Sequence, residues 1–255
     1  MAVQLNRSTR SHWIGVSNLP KTHYQNRLLS SLASVIPSAD LDNLQSEEVH
    51  PGQLLQTPSE ALLWLYFPET AQLSLQIEKE SSYPVEVMTV GAIGAASLLP
   101  LSFEAQAVYR CVVIQGGKVW RIPVKWLVER AQSDIRLLRS ILLYNEAIAN
   151  QIALTAFCNA HHSGLQRLCR WILQLMDQSD EPTLAIPLHT LQCFKTETPA
   201  ELHQKIEFLE SHKAIELNKN QVNVLERSAI ERLSCSCHVG LRDVISTLLS
   251  SLQKI

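Results

Sequence analysis

The stretch TETPAELHQKIEFLESHKAIELNKNQVNVLE, residues 196–226, decides how the last third of the chain is read. Thr198-Pro199 marks a helix start. A threonine hydroxyl suits the N-cap, and proline suits the first helical position, where its missing N–H has no intrahelical partner to lose. Leu202, Ile206 and Leu209 then recur at i, i+4 and i+7, the apolar face of an amphipathic helix. Beyond it, AIEL and QVNVLE flank Asn218-Lys219-Asn220 and predict a two-stranded hairpin, with a turn weaker than Asn-Gly. Upstream, LQRLCRWILQLMDQ puts Leu165, Leu168, Ile172 and Leu175 on one helical face, and Leu188, Leu191 and Phe194 predict a short helix. Helix, short helix, amphipathic helix and hairpin, in that order, make a winged helix-turn-helix.

The chemistry of that reading helix is at odds with its position. Base readout needs side chains near the helix N-terminus, most often arginine to guanine, with cations on the phosphates. No arginine occurs between Arg170 and Arg227, and from Lys195 to Lys213 three lysines stand against four glutamates. The candidate DNA contacts are Thr198, Ala200, His203, Gln204 and Lys205 on the helix and Lys219 on the wing. Gln204 suits adenine, His203 can donate, and the lysines suit phosphates. Glu197 and Glu201 put negative charge where a DNA backbone would come, and the same residues also read as a solvated helix face.

Ahead of this module lies a long helix. Asp134 to Phe157 contains no Gly or Pro, and Leu138, Ile141, Asn145, Ile148, Ile152 and Thr155 step by 3, 4, 3, 4 and 3. That is an a/d heptad seam, and one Asn among apolar seam residues fixes register and two-strandedness. It predicts a homodimer; a core helix packed on the preceding domain is the alternative, because the run spans under three heptads.

Between residues 47 and 123 the texture is different. QLLQ, ALLWLYFP, AQLSLQIE, PVEVMTVG, YRCVVIQ and KVWRIP are short apolar runs separated by turn signals such as Pro51-Gly52 and Gly116-Gly117. They predict an antiparallel β-barrel or jelly roll. Before it, Leu28, Leu29, Leu32 and Val35 recur at helical spacing, and Ser38 caps a second short helix over ADLDNL. The fold class is α+β: a flexible arm over residues 1–22, a sensor domain over 23–130, a dimerisation helix over 131–157 and a winged helix-turn-helix domain over 158–255.

Composition bounds the function. At 255 residues, with 46% hydrophobic and 18% charged residues, the chain is a folded globular protein. A formal net charge of −2 supplies no global field toward nucleic acid or an anionic membrane. The N-terminal residues lack the apolar core of a signal peptide, and no apolar run is long enough to span a bilayer, so the expected location is the cytoplasm. The six cysteines are then expected as reduced thiols. Cys235-Ser236-Cys237-His238 is the one dense grouping, with Cys158, His161 and His162 able to approach it, but Cys-x-Cys is not the usual zinc spacing and packed thiols explain it equally. No metal site and no cofactor are assigned. No phosphate-cradling loop, nucleophile elbow or zinc-protease motif appears, and the reading is of a protein that is not an enzyme.

Three segments carry a family resemblance. LLWLYFPETAQLSLQIE (62–78) looks like a VYFPxxGxVSL strand pair, and TAFCNAHHSGLQRLCRWIL (155–173) is similar to a CNRxHSxxxRLxRWLL hinge. VNVLERSAIERLSCSCHVGLRDVISTLL (222–249) is similar to an LDRxxLExxxCECY tail. The chain resembles a divergent member of the Crp/Fnr transcription regulators over roughly residues 24–250. The resemblance implies a dimer, a cyclic-nucleotide-binding-like sensor and DNA as partner; a relative that works through another protein is the alternative. In relatives that bind cyclic nucleotide, a Gly-Glu pair holds the ribose and an Arg-Ser or Arg-Thr pair the phosphate. Gly94 is followed here by Ala95, and Arg110 by Cys111, so Gly94 and Arg110 are the candidate ligand-site residues in a pocket that lacks its ribose acceptor. Relatives also place Gly at Thr196, Ala at Gln192 and an arginine-rich wing at Asn218–Gln221. The signal sensed is not legible.

Overall fold

The computed structural model describes residues 24–37, 41, 43–78, 84–97, 100–102, 104–179, 185–188, 190–191, 198–219 and 221–255. The N-terminal arm, the Ser38 cap and residues 192–197 ahead of the reading helix lie outside them. Helix α1 (Arg27–Val35) precedes β1 (Gln45–Val49), β2 (Leu54–Gln56), β3 (Trp64–Pro68), β4 (Gln72–Ile77), β5 (Val85–Val90), β6 (Arg110–Gln115) and β7 (Gly117–Pro123). Then follow α2 (Val124–Ser133), α3 (Ile135–His161), α4 (Gly164–Asp177), β8 (Ala185–Pro187), α5 (Pro199–Ser211), β9 (Ile215–Asn218), β10 (Gln221–Val224), α6 (Arg227–Leu233) and α7 (Cys237–Leu252).

All six apolar runs between residues 53 and 123 become strands. They build two antiparallel sheets, in orders β1-β7-β3 and β2-β6-β4-β5. Of the expected barrel or jelly roll, the structure has two open sheets and no closed barrel, within the expected α+β fold. The chain crosses between the sheets at Gly116-Gly117, and no ladder joins them. Gly117 has φ +150° and a Cβ there would lie 2.5 Å from Thr70 Oγ1, so only glycine fits this crossing. Leu65, Phe67, Val119 and Ile122 of one sheet and Leu73, Leu75, Cys111 and Val113 of the other share one core with α1. Strand β1, Gln-Ser-Glu-Glu-Val, has no apolar alternation and gives no sequence signal. It is held on β7 by backbone pairing and by Arg121, whose Nη1 lies 2.9 Å from Glu47 and whose guanidinium stacks over Trp64 at 4.3 Å. A charged edge of this kind discourages further strand addition.

Helix α3 is capped by Asp134, which accepts from the N–H groups of Arg136 and Leu137. Its 27 residues extend about 40 Å and run four residues past the expected end. Leu137, Ile141, Tyr144 and Ile148 enter the sensor core. Helix α7 returns antiparallel along α3: a Cβ on Gly240 would sit 3.5 Å from Leu154, while Leu248 and Leu252 join the core beside Ile141 and Ile148. Among the described residues no helix is long and apolar enough to cross a membrane.

Helix α4 lies against the four-stranded sheet through directed contacts. Gln72 Nε2 donates to Leu175 O at 2.7 Å, Gln178 Nε2 to Thr89 O at 3.2 Å, and Trp171 Nε1 to Glu86 Oε1 at 2.6 Å. A Cβ on Gly91 would lie 2.7 Å from Gln178 Cβ, so this approach also needs glycine.

Asn26 joins three segments. Its Oδ1 caps α1 by accepting from Leu29 N at 2.9 Å, and its Nδ2 donates to Pro68 O at 2.7 Å and Gly94 O at 2.8 Å, all fully buried from solvent at the side chain. Asn26→Ala removes the cap and orphans two carbonyls, and should lower stability by about 2–4 kcal/mol in denaturant unfolding.

Glu86 is half-buried, with its carboxyl enclosed by Ser74 and Trp171. Desolvation raises its pKa to about 7, against the smaller lowering effects of the Ser74 hydrogen bond, the Arg170 charge and the Trp171 hydrogen bond. The folded chain thus holds a proton that the unfolded chain releases near pH 4.5. The contribution is full below that value and is lost as pH rises through about 7. Glu86→Gln should flatten the decline in melting temperature between these values and raise it at higher pH; an unchanged pH slope would contradict the assignment.

Candidate nucleic-acid interface and sensor face

The reading helix α5 starts with a capping box. Thr198 Oγ1 accepts from Glu201 N at 3.3 Å, and Glu201 Oε2 accepts from Thr198 N at 2.7 Å and from its hydroxyl at 2.9 Å. These hydrogen bonds hold the Glu201 carboxyl below its usual pKa. The Thr-x-x-Glu spacing that announces a capping box was present in the sequence. Its consequence is electrostatic: a carboxylate occupies the end of the helix that would otherwise attract a phosphate.

Ile206 and Leu209 turn inward with Trp171, Ile172, Leu175, Ile186, Ile215, Val222 and Ile230 in a second hydrophobic core. The opposite face carries Ala200, His203, Gln204, Glu207 and Glu210, all exposed. His203 Nε2 lies 3.1 Å from Glu207 Oε1, and Lys205 Nζ donates to Glu201 O at 3.3 Å. The predicted hairpin forms as β9–β10, with β8 as a third strand on β10. Lys219 sits at its turn with φ +51° and is exposed. Thus Thr198, Ala200, His203, Gln204 and Lys205 share one helix and Lys219 caps the adjoining wing. Thr198 has its hydroxyl engaged at the cap.

The module is tied together by Asp177 at the end of α4. Arg227 Nη2 lies 2.7 Å from one carboxylate oxygen and His238 Nε2 2.8 Å from the other. Burial alone would raise the Asp177 pKa, but the His238 hydrogen bond and the Arg227 charge outweigh it and hold the carboxyl low.

The six seam positions divide between two environments. Ile141, Ile148 and Thr155 are buried within the chain, against the sensor domain and α7, whereas Leu138, Asn145 and Ile152 are half-buried. One residue further along the helix, Leu142 is 51% exposed, and Ala149 and Ala156 are exposed too. Ile135 at the helix start is 74% exposed. The open stripe of α3 therefore runs through Ile135, Leu138, Leu142, Asn145, Ala149, Ile152 and Ala156, again in steps of 3 and 4.

Gly94 and Arg110 have different neighbours. Gly94 lines a cleft between β5, α3 and α7, beside Val90, Ile93, Tyr144 and Leu248. The Tyr144 hydroxyl donates to Ala95 O at 2.7 Å and lies 2.7 Å from Ala95 N, and a Cβ on Gly94 would come within 3.0 Å of it. The Gly94 carbonyl is taken by Asn26. Arg110 instead donates from Nη1 to Gln76 Oε1 at 2.8 Å, with Glu78 3.6 Å from its Nε.

A third grouping was only partly legible. The ligand atoms of Cys158, His162, Cys235 and Cys237 lie within 4.8 Å of one another, whereas His161 turns outward and stacks on Phe157 at 4.5 Å. Burial pushes the Cys158 thiol up to about 12 and raises Cys237, against the Arg170 charge.

Comparison with solved structures follows from this geometry. A protein described as a transcriptional regulator of the crp/fnr family from Eubacterium rectale superposes with a TM-score of 0.63 at 12% identity, over 79% of this chain and 96% of that one. The chain has the Crp/Fnr regulator fold. FixK2 from Bradyrhizobium japonicum shares that fold, with a TM-score of 0.63 at 9% identity, over 75% of this chain and 98% of that one. So does CLP, described as a c-di-GMP responsive global regulator of Xanthomonas campestris, at 0.55 and 13% identity over 73% and 96% of the two chains. No protein-family profile matches the sequence. No curated protein sequence matches it. The Crp/Fnr fold is thus kept here with little of the sequence of these regulators.

Proposed function

We propose that the chain is a cytoplasmic, dimeric transcription regulator of the Crp/Fnr type, whose reading head binds DNA through polar contacts and few cations. The sensor domain spans residues 23–130, the dimerisation helix 131–157 and the winged helix-turn-helix 158–255. The observation that carries the reading is the exposed face of α5, which presents His203 and Gln204 beside a wing tipped by Lys219. An exposed recognition helix with an adjoining wing is the arrangement that enters a major groove, and two copies in a symmetric dimer would read half-sites about one turn apart. The Crp/Fnr fold adds support, because its relatives are regulators and not enzymes.

Dimerisation is assigned to the open stripe of α3. It retains Leu138, Asn145 and Ile152 from the sequence-derived seam and replaces Ile141, Ile148 and Thr155 by Leu142, Ala149 and Ala156. Small residues at alternate seam positions allow close approach of two helices, and Asn145 remains placed to fix register. Leu142→Asp should convert dimer to monomer in sedimentation equilibrium, weakening association by about 100-fold, with unchanged helical circular dichroism. A variant that stays dimeric would remove this seam.

The sensor domain is assigned no ligand. The Tyr144 hydroxyl is bonded to the Ala95 backbone next to Gly94, and the Gly94 carbonyl is held by Asn26. A second reading, contact with another protein, is favoured by Glu207, Glu210 and the 38%-exposed Phe208 on and beside the reading face.

Fluorescence anisotropy with DNA from upstream of the chain's own coding region separates the two readings. Each phosphate contact contributes about −0.9 to the slope of log K against log salt. From residue 198 to 219 three lysines stand against four glutamates, so a slope of about −2 to −4 is expected. Lys205→Ala and Lys219→Ala should each reduce its magnitude by about 1. Absence of binding at about 50 mM salt would overturn DNA as the partner and leave the protein-contact reading.

A further inference from the structure

We infer that Cys158, His162, Cys235 and Cys237 form a structural zinc site that locks the end of the spine helix α3 to the start of α7. The site goes beyond the regulatory reading and does not depend on it. Cys158 lies in the last turn of α3, and His162 is the extended C-cap residue whose N–H donates to Cys158 O, so the two sit together at the end of the helix. Cys235 and Cys237 bracket Ser236, the N-cap of α7. The antiparallel return of α7 brings these two pairs together from opposite ends of the second domain's sequence.

The spacing fits tetrahedral zinc. Zinc–sulfur bonds of about 2.3 Å and zinc–nitrogen bonds of about 2.0–2.1 Å place two sulfurs about 3.8 Å apart and a sulfur and nitrogen about 3.5 Å apart. Cys158 Sγ and Cys235 Sγ are separated by 3.5 Å, and Cys237 Sγ and His162 Nδ1 by 3.5 Å. The two sulfurs are well outside the roughly 2.05 Å of a disulfide. Three sulfurs and one imidazole complete a closed set of four, the pattern of a structural site with no open position. A four-thiolate iron–sulfur cluster would need one more cysteine in the shell.

Charge provides a second, independent observation. Arg170 on α4 is 3% exposed and acts electrostatically on both Cys158 and Cys237. Its Nη1 donates to Gln174, its Nε has no hydrogen-bond partner, and it forms no carboxylate ion pair among the described residues. The two oxygens of Glu86 are already engaged by Ser74 and Trp171. A buried guanidinium facing neutral thiols, with only the Glu86 carboxyl, itself raised to about 7, acting on it from the other side, is poorly compensated and costly. Three thiolates and a neutral imidazole on a divalent ion carry a net charge of −1, which Arg170 balances. The positive end of α7 adds to that balance. Binding would release the thiol protons to solvent and involves no change of oxidation state.

The test is metal analysis of the full chain, purified under reducing conditions without chelator. About one zinc per chain is expected, lost in Cys158→Ser, Cys235→Ser and Cys237→Ser and kept in Cys111→Ala, whose sulfur is in the sensor core. Stripping zinc from the unaltered chain should lower its melting temperature by about 5–10 °C, and zinc should restore it. Reconstitution with cobalt keeps the test decisive if the variants do not fold, because three thiolates on tetrahedral cobalt give strong visible bands and a near-ultraviolet charge-transfer band. Less than about one-tenth equivalent of zinc, together with no such bands, would overturn the site. So would a Cys158–Cys235 disulfide in chains alkylated at lysis, which would make the pair a redox element instead.

Discussion

The antiparallel packing of α7 on α3 is the contact on which the rest of the architecture depends. It takes one side of the spine helix, at Leu154, and carries Leu248 and Leu252 back into the sensor core. Together with Ile141, Tyr144 and Ile148 of α3, it covers one side of the helix and leaves the stripe through Leu142, Ala149 and Ala156 exposed. The same return sets Cys235 and Cys237 beside Cys158 and His162. A helix in a coiled coil offers one seam, and α3 cannot give the same residues to its own core and to a partner.

A second constraint joins α4 to the four-stranded sheet. Trp171 and Glu86, Gln72 and Leu175, and Gln178 and Thr89 fix α4 on the sensor sheet through buried polar groups. Such groups are costly unless each is partnered, so they specify one docking geometry better than apolar contact alone. The reading helix is carried by this docked module. Its N-terminus, which in an arginine-rich head would face phosphate, is instead occupied by the Glu201 carboxylate of its own capping box. Helix stability and phosphate attraction compete there for the same N–H groups, and in this chain the cap has taken them.

Much of the fold was legible because its signals are local. Alternation in AQLSLQIE, the Thr198-Pro199 start and the Asn-Lys-Asn turn each report on a few consecutive residues. Strand β1 was silent because its five residues are mostly polar and its pairing is supplied by β7. Barrel and jelly roll were both open in the sequence because closure is a matter of ladder pairing between distant edges, which alternation does not encode. The candidate site was legible in position and only partly in role. Thr198 and Glu201 bond each other, and the Gly94 carbonyl accepts from Asn26.

By itself, the sequence determined the six strands between residues 53 and 123, the long helix α3, the helix that starts at Pro199 with the hairpin behind it, and the poverty of cations on that helix. These follow from periodicity, caps and residue charge, which are properties of neighbours in the chain. Only the tertiary structure decided which face of α3 is free, where α4 docks and that three thiols and an imidazole converge. Each of those depends on residues tens of positions apart, brought together when the chain buries its apolar surface, and no local pattern records which distant face will be covered.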